Sequence, residues 1–364
     1  MAVILIAPTA EGSPAAAWHL AAVGAEQAWT SATGSGVTVA VIDSGVDADH
    51  PDLDGAVLPG RSYVDAGTGA DPQLLALGSD PGPVYERAFA QADPVGHGTA
   101  VAGLIAGRAA TGHPGVAPGA AILPVRVLDD ENRYHDSAMV GDAVRWAVDN
   151  GADVINLSLG GQYDSEAFAD AIDYADRHDV VVVACTGNQD EAGDGDAVWF
   201  PARLPDVLAV TGVDRSGHLW PTAVTGAETD LAAPSAGLTV AAAGGGHKEA
   251  TGTSFASAIV AGAAALVRSA HPGLDADLVR HVLTATAETG PGGDGLGAGV
   301  VDAAEAVAAD PGSLPPPRPA AEPAAELAPW PAWAAAGAVL LLGASAVLHA
   351  RRRVPVGRTA RARR

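Results

Sequence analysis

The sequence contains one cysteine, Cys185, and one lysine, Lys248. A lone cysteine excludes an intrachain disulfide. Cys185 ends the apolar run 180–184, which suits a small buried residue better than a reactive thiol. Positive charge is also scarce: 20 Lys and Arg stand against 43 Asp and Glu, for a formal net charge of −23. Seven of the arginines fall in the last fourteen residues, so residues 1–350 carry 13 basic against 43 acidic groups, a net of −30. Such a surface repels polyanions and argues against a nucleic-acid partner. No Gly-x-Gly-x-x-Gly follows the first predicted strand, which removes a dinucleotide-binding reading, and no serine sits in the Gly-x-Ser-x-Gly context of a nucleophile elbow where it matters below. A secretory leader is not visible either. The apolar run 2–7 is too short for one and no basic residue precedes it, so either an upstream segment is missing or export uses another device.

What is present centres on Gly252-Thr253-Ser254-Phe255-Ala256, followed by an alanine-rich apolar run from 257 to 267. A serine where a glycine turn meets the first turn of a helix exposes its hydroxyl in the field of the helix N-terminus, which suits a nucleophile. The same placement also suits a plain N-cap. Two further stretches bear on the choice. Residues 37–42, Val-Thr-Val-Ala-Val-Ile, read as a buried parallel strand that delivers Asp43 at its carboxyl end, where clefts of open α/β sheets lie. Gly96-His97-Gly98-Thr99 opens a second small-residue helix. Singly, Asp43 could cap a turn and His97 could be structural. Together with Ser254 they supply the acid, base and nucleophile of hydroxyl catalysis.

Asp43 in Val-Ile-Asp-Ser-Gly, His97 in His-Gly-Thr and Ser254 in Gly-Thr-Ser, in that order, resemble the subtilisin-like (subtilase) serine proteases. The resemblance extends from about Trp18 to Val307 and includes His50-Pro51-Asp52-Leu53, Gly115-Val116-Ala117-Pro118 and Asn156-Leu157-Ser158-Leu159-Gly160. It implies a three-layer α/β fold, with a mostly parallel sheet and helices on both faces. It further implies an Asp43-His97-Ser254 triad acting on a polypeptide substrate, Asn188 as oxyanion-hole donor, and Ser158, Leu159 and Gly160 as a substrate-binding edge. No cofactor is implied. Asp52 resembles a residue that binds calcium in some subtilases, but the loop after Gly107, Arg-Ala-Ala-Thr-Gly-His-Pro, lacks the usual oxygen-rich partners, and no metal is expected. Two positions depart from the family pattern: Ala258 stands where proline is usual, and Ala100 replaces a common second histidine.

Along the chain, residues 1–35 read as an N-terminal extension with Trp18 and Trp29 as packing anchors, and 36–309 as the catalytic domain. Residues 60–95 are a Gly, Pro and Asp-rich surface excursion. Strands are expected at 122–128, 153–157, 180–184 and 207–213, alternating with helices at 137–150, 164–177 and 275–287. The first of these helices is capped by Asp136, with Met139, Ala143, Trp146 and Ala147 on its apolar face. Residues 310–331 form a Pro/Ala-rich spacer. Residues 332–350 carry no formal charge and are long enough to span a bilayer, with Trp330 and Trp333 at one edge and arginines at the other. The positive-inside rule puts the tail 351–364 in the cytoplasm and the catalytic domain across the cell membrane.

A subtilase with a proline-rich spacer, one C-terminal span and a basic tail resembles the mycosins, membrane-anchored proteases of type VII secretion systems. That resemblance implies secretion-complex proteins as partners. The alternative is a membrane-tethered scaffold of such a complex whose catalysis is dispensable; intact Asp43, His97, Ser254 and Asn188 favour the enzyme.

Overall fold

The β-branched run that ends in the first candidate catalytic residue forms strand β1 (Thr38–Asp43), flanked by neighbours on both sides. The computed structural model describes residues 17–64, 91–108, 112–189 and 197–316, all within one compact unit, Met1–Arg318. Most of the spacer, the expected span at 332–350, the basic tail and most of the 60–95 excursion lie outside the described residues. Two short helices, α1 (Trp18–Ala22) and α2 (Ala25–Ala28), precede β1. After it come β2 (Arg61–Ser62), α3 (His97–Ala106), β3 (Ala121–Arg126), α4 (Ser137–Asp149), β4 (Val154–Leu157), α5 (Glu166–Arg177), β5 (Val181–Cys185), β6 (Val207–Val213) and β7 (Leu231–Pro234). A hairpin of β8 (Leu238–Ala241) and β9 (His247–Ala250) leads into α6 (Thr253–Ala270), α7 (Ala276–Ala285) and α8 (Ala303–Ala308).

The seven strands of the main sheet run in the order β2-β3-β1-β4-β5-β6-β7, and every pairing is parallel. Successive strand residues point to opposite faces, and here both faces are apolar. Val39, Val41, Val181 and Val183 pack with α3 and α6 in one core, while Ala40, Ile42, Ile155 and Val182 pack with α4 and α5 in the other. The chain passes to β3 on one side of β1 and then to β4 on the other. That reversal opens a crevice outside the carboxyl ends of the strands.

Helix α6 is long and apolar enough to cross a membrane by length and composition, the one such helix among the described residues. Its residues from Thr253 to Arg268 are buried, and it packs against β4, β5, β6, β7 and α3. A helix apolar on all sides is the expected form for such a central position. It runs unbroken through Ala258, so the absence of proline there leaves the helix intact.

Several boundaries move. Strand β3 ends at Arg126 because the Val127 and Leu128 N–H groups both turn to the carbonyl of Asp43, at 2.8 and 3.2 Å. Helix α5 begins at Glu166, since Ser165 is extended. On α4 the buried stripe is Val140, Ala143, Val144 and Ala147, with Met139 and Trp146 only partly buried at its margin. Asp136 does cap that helix, accepting from Ala138 N–H at 2.8 Å. Trp18 and Trp29 pack against the core, and Trp29 Nε1 donates to the Val116 carbonyl at 2.8 Å. The hairpin and β7 have no counterpart in the sequence reading.

Ile155 is fully buried in β4. Truncation to alanine removes apolar contacts and leaves a cavity, so Ile155→Ala should cost about 2–5 kcal/mol of unfolding free energy, measured as a lower urea midpoint at unchanged slope.

Candidate active site

Asp43 is the last residue of β1, fully buried at the sheet's carboxyl edge. Its Oδ1 accepts from the Ser44 N–H at 2.7 Å and lies 2.7 Å from His97 Nδ1. Oδ2 is buried with no donor among the described residues, so compensation of this charge rests on those two groups. Backbone geometry makes the approach of His97 achievable. Gly96, at φ 77°, caps α3 in the left-handed conformation. A side chain on Gly98 would place its Cβ 2.1 Å from the Gly45 carbonyl oxygen and 3.1 Å from the Asp43 Cβ, so only glycine lets the first turn of α3 settle against the end of β1.

A second buried carboxylate, unforeseen from the sequence, locks this turn. Asp93 Oδ1 accepts from Ser44 Oγ at 2.8 Å and from Gly96 N–H at 2.7 Å; Oδ2 accepts from Thr99 N–H at 2.8 Å and Thr99 Oγ1 at 2.6 Å. Ser44 Oγ in turn accepts from Gly98 N–H at 3.0 Å. A carboxylate near a helix N-terminus that satisfies otherwise unpaired donors is favourable on both hydrogen-bonding and dipole grounds. The only available signal was an Asp four residues before a glycine-flanked histidine. On the outer side, Lys248 Nζ donates to the Gly96 carbonyl at 3.3 Å.

Ser254 is the second residue of α6, one of the amides left unpaired at a helix start. Gly252 before it has φ 155° and ψ 152°, a region populated essentially by glycine alone. The Ser254 hydroxyl donates to the Ser158 carbonyl at 3.2 Å, and Cys185 Sγ lies 4.0 Å away. Cys185 is buried, as its position at the end of an apolar strand implied. The ring of Phe255 rests beside that of His97, with centroids 5.6 Å apart.

The orientation of Asn188 follows from its neighbours. Its Oδ1 accepts from Thr253 N–H at 3.1 Å and from Thr253 Oγ1 at 3.0 Å. With the oxygen so held, Nδ2 is the end left to donate, and it lies beside Gly252 at the start of α6. His97, Asn188 and Ser254 line one cleft of about 460 Å³ with Ser158, Leu159 and Gly160, while Asp43 stands behind His97. Leu128, Tyr134 and Trp199 add apolar wall. Burial, and secondarily Cys185, push the Tyr134 phenol above its usual pKa, so it stays neutral.

The edge at 158–160 is open toward the cleft. Gly161 exchanges both backbone hydrogen bonds with Phe200, at 2.9 and 2.7 Å. Strand β4 ends at Leu157, and just beyond it the Ser254 hydroxyl meets the Ser158 carbonyl.

The subtilase family model matches residues 34–305. Subtilisin E of Bacillus subtilis (strain 168) is 38% identical over 256 residues, 70% of this chain and 61% of the relative, so the chain spans less than two thirds of that relative's length. Among solved structures, the MycP3 protease from the type VII (ESX-3) secretion system is similar at TM-score 0.65 and 30% identity, over 83% of this chain and 90% of that one. MycP1 with its N-terminal propeptide removed is similar at TM-score 0.67 and 28% identity, over 83% and 98%.

Gly98→Ala should be severely destabilising, by about 2 kcal/mol or more in urea unfolding, because its Cβ meets backbone that has nowhere to move. A variant of wild-type stability would refute the close-approach argument.

Proposed function

The chain belongs to the subtilase family, and from that membership we propose that it is a serine endopeptidase working through Asp43, His97 and Ser254. The observation that carries the reading is the 2.7 Å Asp43–His97 contact opening onto the cleft that holds Ser254. His97 would accept the hydroxyl proton as Ser254 Oγ attacks the scissile carbonyl, then return it to the departing amine. Water, deprotonated by the same imidazole, would release the acyl group and restore the serine. Asp43 would hold the imidazole in the tautomer with its proton on Nδ1 and offset its charge once protonated.

The hydroxyl carries one proton and spends it on the Ser158 carbonyl in the structure. For catalysis it has to turn toward His97, and a substrate strand adding along 158–160 would take over contacts at that edge. The oxyanion would be met by Asn188 Nδ2 and by the Ser254 N–H, two donors fixed before charge develops. An extended, flexible peptide segment is the substrate this edge fits.

We further propose that the protein acts at the cell membrane in a secretion-associated, mycosin-like role, with the catalytic domain extracytoplasmic and the tail 351–364 cytoplasmic. Support comes from the uncharged stretch 332–350 between a proline-rich spacer and clustered arginines, and from the likeness to two proteases, one of them named for a type VII secretion system. Secretion-complex proteins are the expected partners.

A tagged fluorophosphonate should label Ser254 in the full chain and leave Ser254→Ala unlabelled; absence of label on folded wild type would remove the enzyme reading. Asn188→Ala should lower kcat about 10²–10³-fold with little change in KM, a magnitude that comes from subtilisin itself. The acid limb of the rate profile should fall as His97 gains its proton, and a flat profile from neutral to acidic pH would exclude it as the base.

A further inference from the structure

Outside the residues that line the cleft, the fold gathers imidazoles from four chain segments: His19, His50, His113 and His247. Asp52, His113 and His247 place their ligand atoms within 4.8 Å of one another. His247 Nε2 lies 2.7 Å from Asp52 Oδ2, and its ring stacks on that of His113 with centroids 3.7 Å apart. A cavity of about 10 Å³ is lined by His19, Asp52 and His113. That is roughly the space one water or one small ion needs.

His19 is the unexpected member. It is 3% exposed, and neither ring nitrogen has a hydrogen-bond partner among the described residues; His113 Nδ1 is buried and unpartnered as well. Buried polar groups are ordinarily satisfied, so a merely structural cluster would pair these atoms. Burial, with the neighbouring His113 second, lowers the His19 pKa to about 4, so the ring is neutral. His50 is different. Its Nδ1 accepts from Asp52 N–H at 3.1 Å, and its Nε2 meets the Gly246 carbonyl at 2.9 Å. Both nitrogens are committed, and the ring braces Asp52 and the β8–β9 turn from behind.

Calcium does not fit this site. It takes six to eight oxygen ligands, whereas the cluster offers one carboxylate among imidazoles. Imidazole suits the borderline transition metals. We propose that Asp52, His113 and His247, with His19 as fourth donor, bind a divalent transition-metal ion of the zinc class. Tetrahedral zinc at 2.0–2.1 Å from each ligand separates ligand atoms by about 3.3 Å. The Asp52–His247 pair therefore opens by about half an ångström and the other pairs of the three-residue cluster close from at most 4.8 Å, while His19, which is not one of those three, would have to swing toward them from the wall of the same cavity. The ion would clamp α1, the turn after β1, the loop after α3 and the β8–β9 hairpin.

The test uses the full chain, made without a histidine tag, stripped with EDTA and titrated separately with Zn²⁺, Co²⁺ and Ca²⁺. Zn²⁺ at about a hundred times Kd should raise Tm by about 5 °C or more, Co²⁺ should give visible d–d absorption of a four-coordinate nitrogen/oxygen site, and Ca²⁺ should do neither. His247 lies on a surface hairpin, so His247→Ala should fold and bind Zn²⁺ at least about tenfold more weakly, as should His113→Ala. Should either fail to fold, His247→Gln, which keeps a polar side chain, replaces it. The proposal falls if folded wild type shows neither shift nor absorption, or if affinity is unchanged in the variants, which would put the ion elsewhere, for example at Asp176, Asp206 and Asp277. It falls equally if Ca²⁺ stabilises more than Zn²⁺.

Discussion

A buried carboxylate is tolerable where donors reach it, and the turn that carries His97 is arranged around two of them. Asp43 is carried to the sheet's carboxyl edge by β1 and met by Ser44 and His97; Asp93 is met by Ser44, Gly96 and Thr99. Ser44 belongs to both sets and also receives Gly98 N–H. Both charges therefore depend on the same contact between the end of β1 and the first turn of α3, and displacing Ser44 would take a donor from each. That interdependence explains why glycine is forced at positions 96 and 98, where the chain must pass close to Gly45 and adopt a left-handed angle.

The same logic governs the nucleophile. Thr253 ties the Asn188 oxygen with its N–H and its hydroxyl, so the residue that opens α6 also decides which end of the Asn188 amide faces outward. Ser158 Oγ and Ser257 Oγ both donate to the Ser254 carbonyl, at 2.7 and 2.9 Å. Those bonds secure the first turn of a helix whose flank is wholly buried. Preorganisation of this kind costs nothing at the moment of reaction, since the donors were oriented when the protein folded.

The positions of Asp43, His97 and Ser254 were legible in the sequence because each sits beside a local backbone constraint: a β-branched strand before Asp43, glycines around His97, a glycine before Ser254. The alternating β and α runs made the parallel sheet readable for the same reason. Asp93 was not legible, because its meaning lies in Ser44 and Thr99, which only the tertiary approach of β1 and α3 brings to it. The margin of α4 was misplaced by giving weight to the large residues Met139 and Trp146, when the stripe the sheet covers is smaller and centred on Val140, Ala143, Val144 and Ala147. The β8–β9 hairpin escaped notice because its outer strand, His247–Ala250, is polar and largely exposed.

Lys248, the one lysine of the sequence, occupies that hairpin with its ammonium on the carbonyl of Gly96, the glycine that caps the helix of His97. Side-chain amine chemistry on this protein therefore has a single address, beside the turn that carries His97. A fluorophore coupled through lysine would sit at the cap of the helix of His97 and report on that turn, while conjugation meant to leave it undisturbed could use the many carboxylates instead.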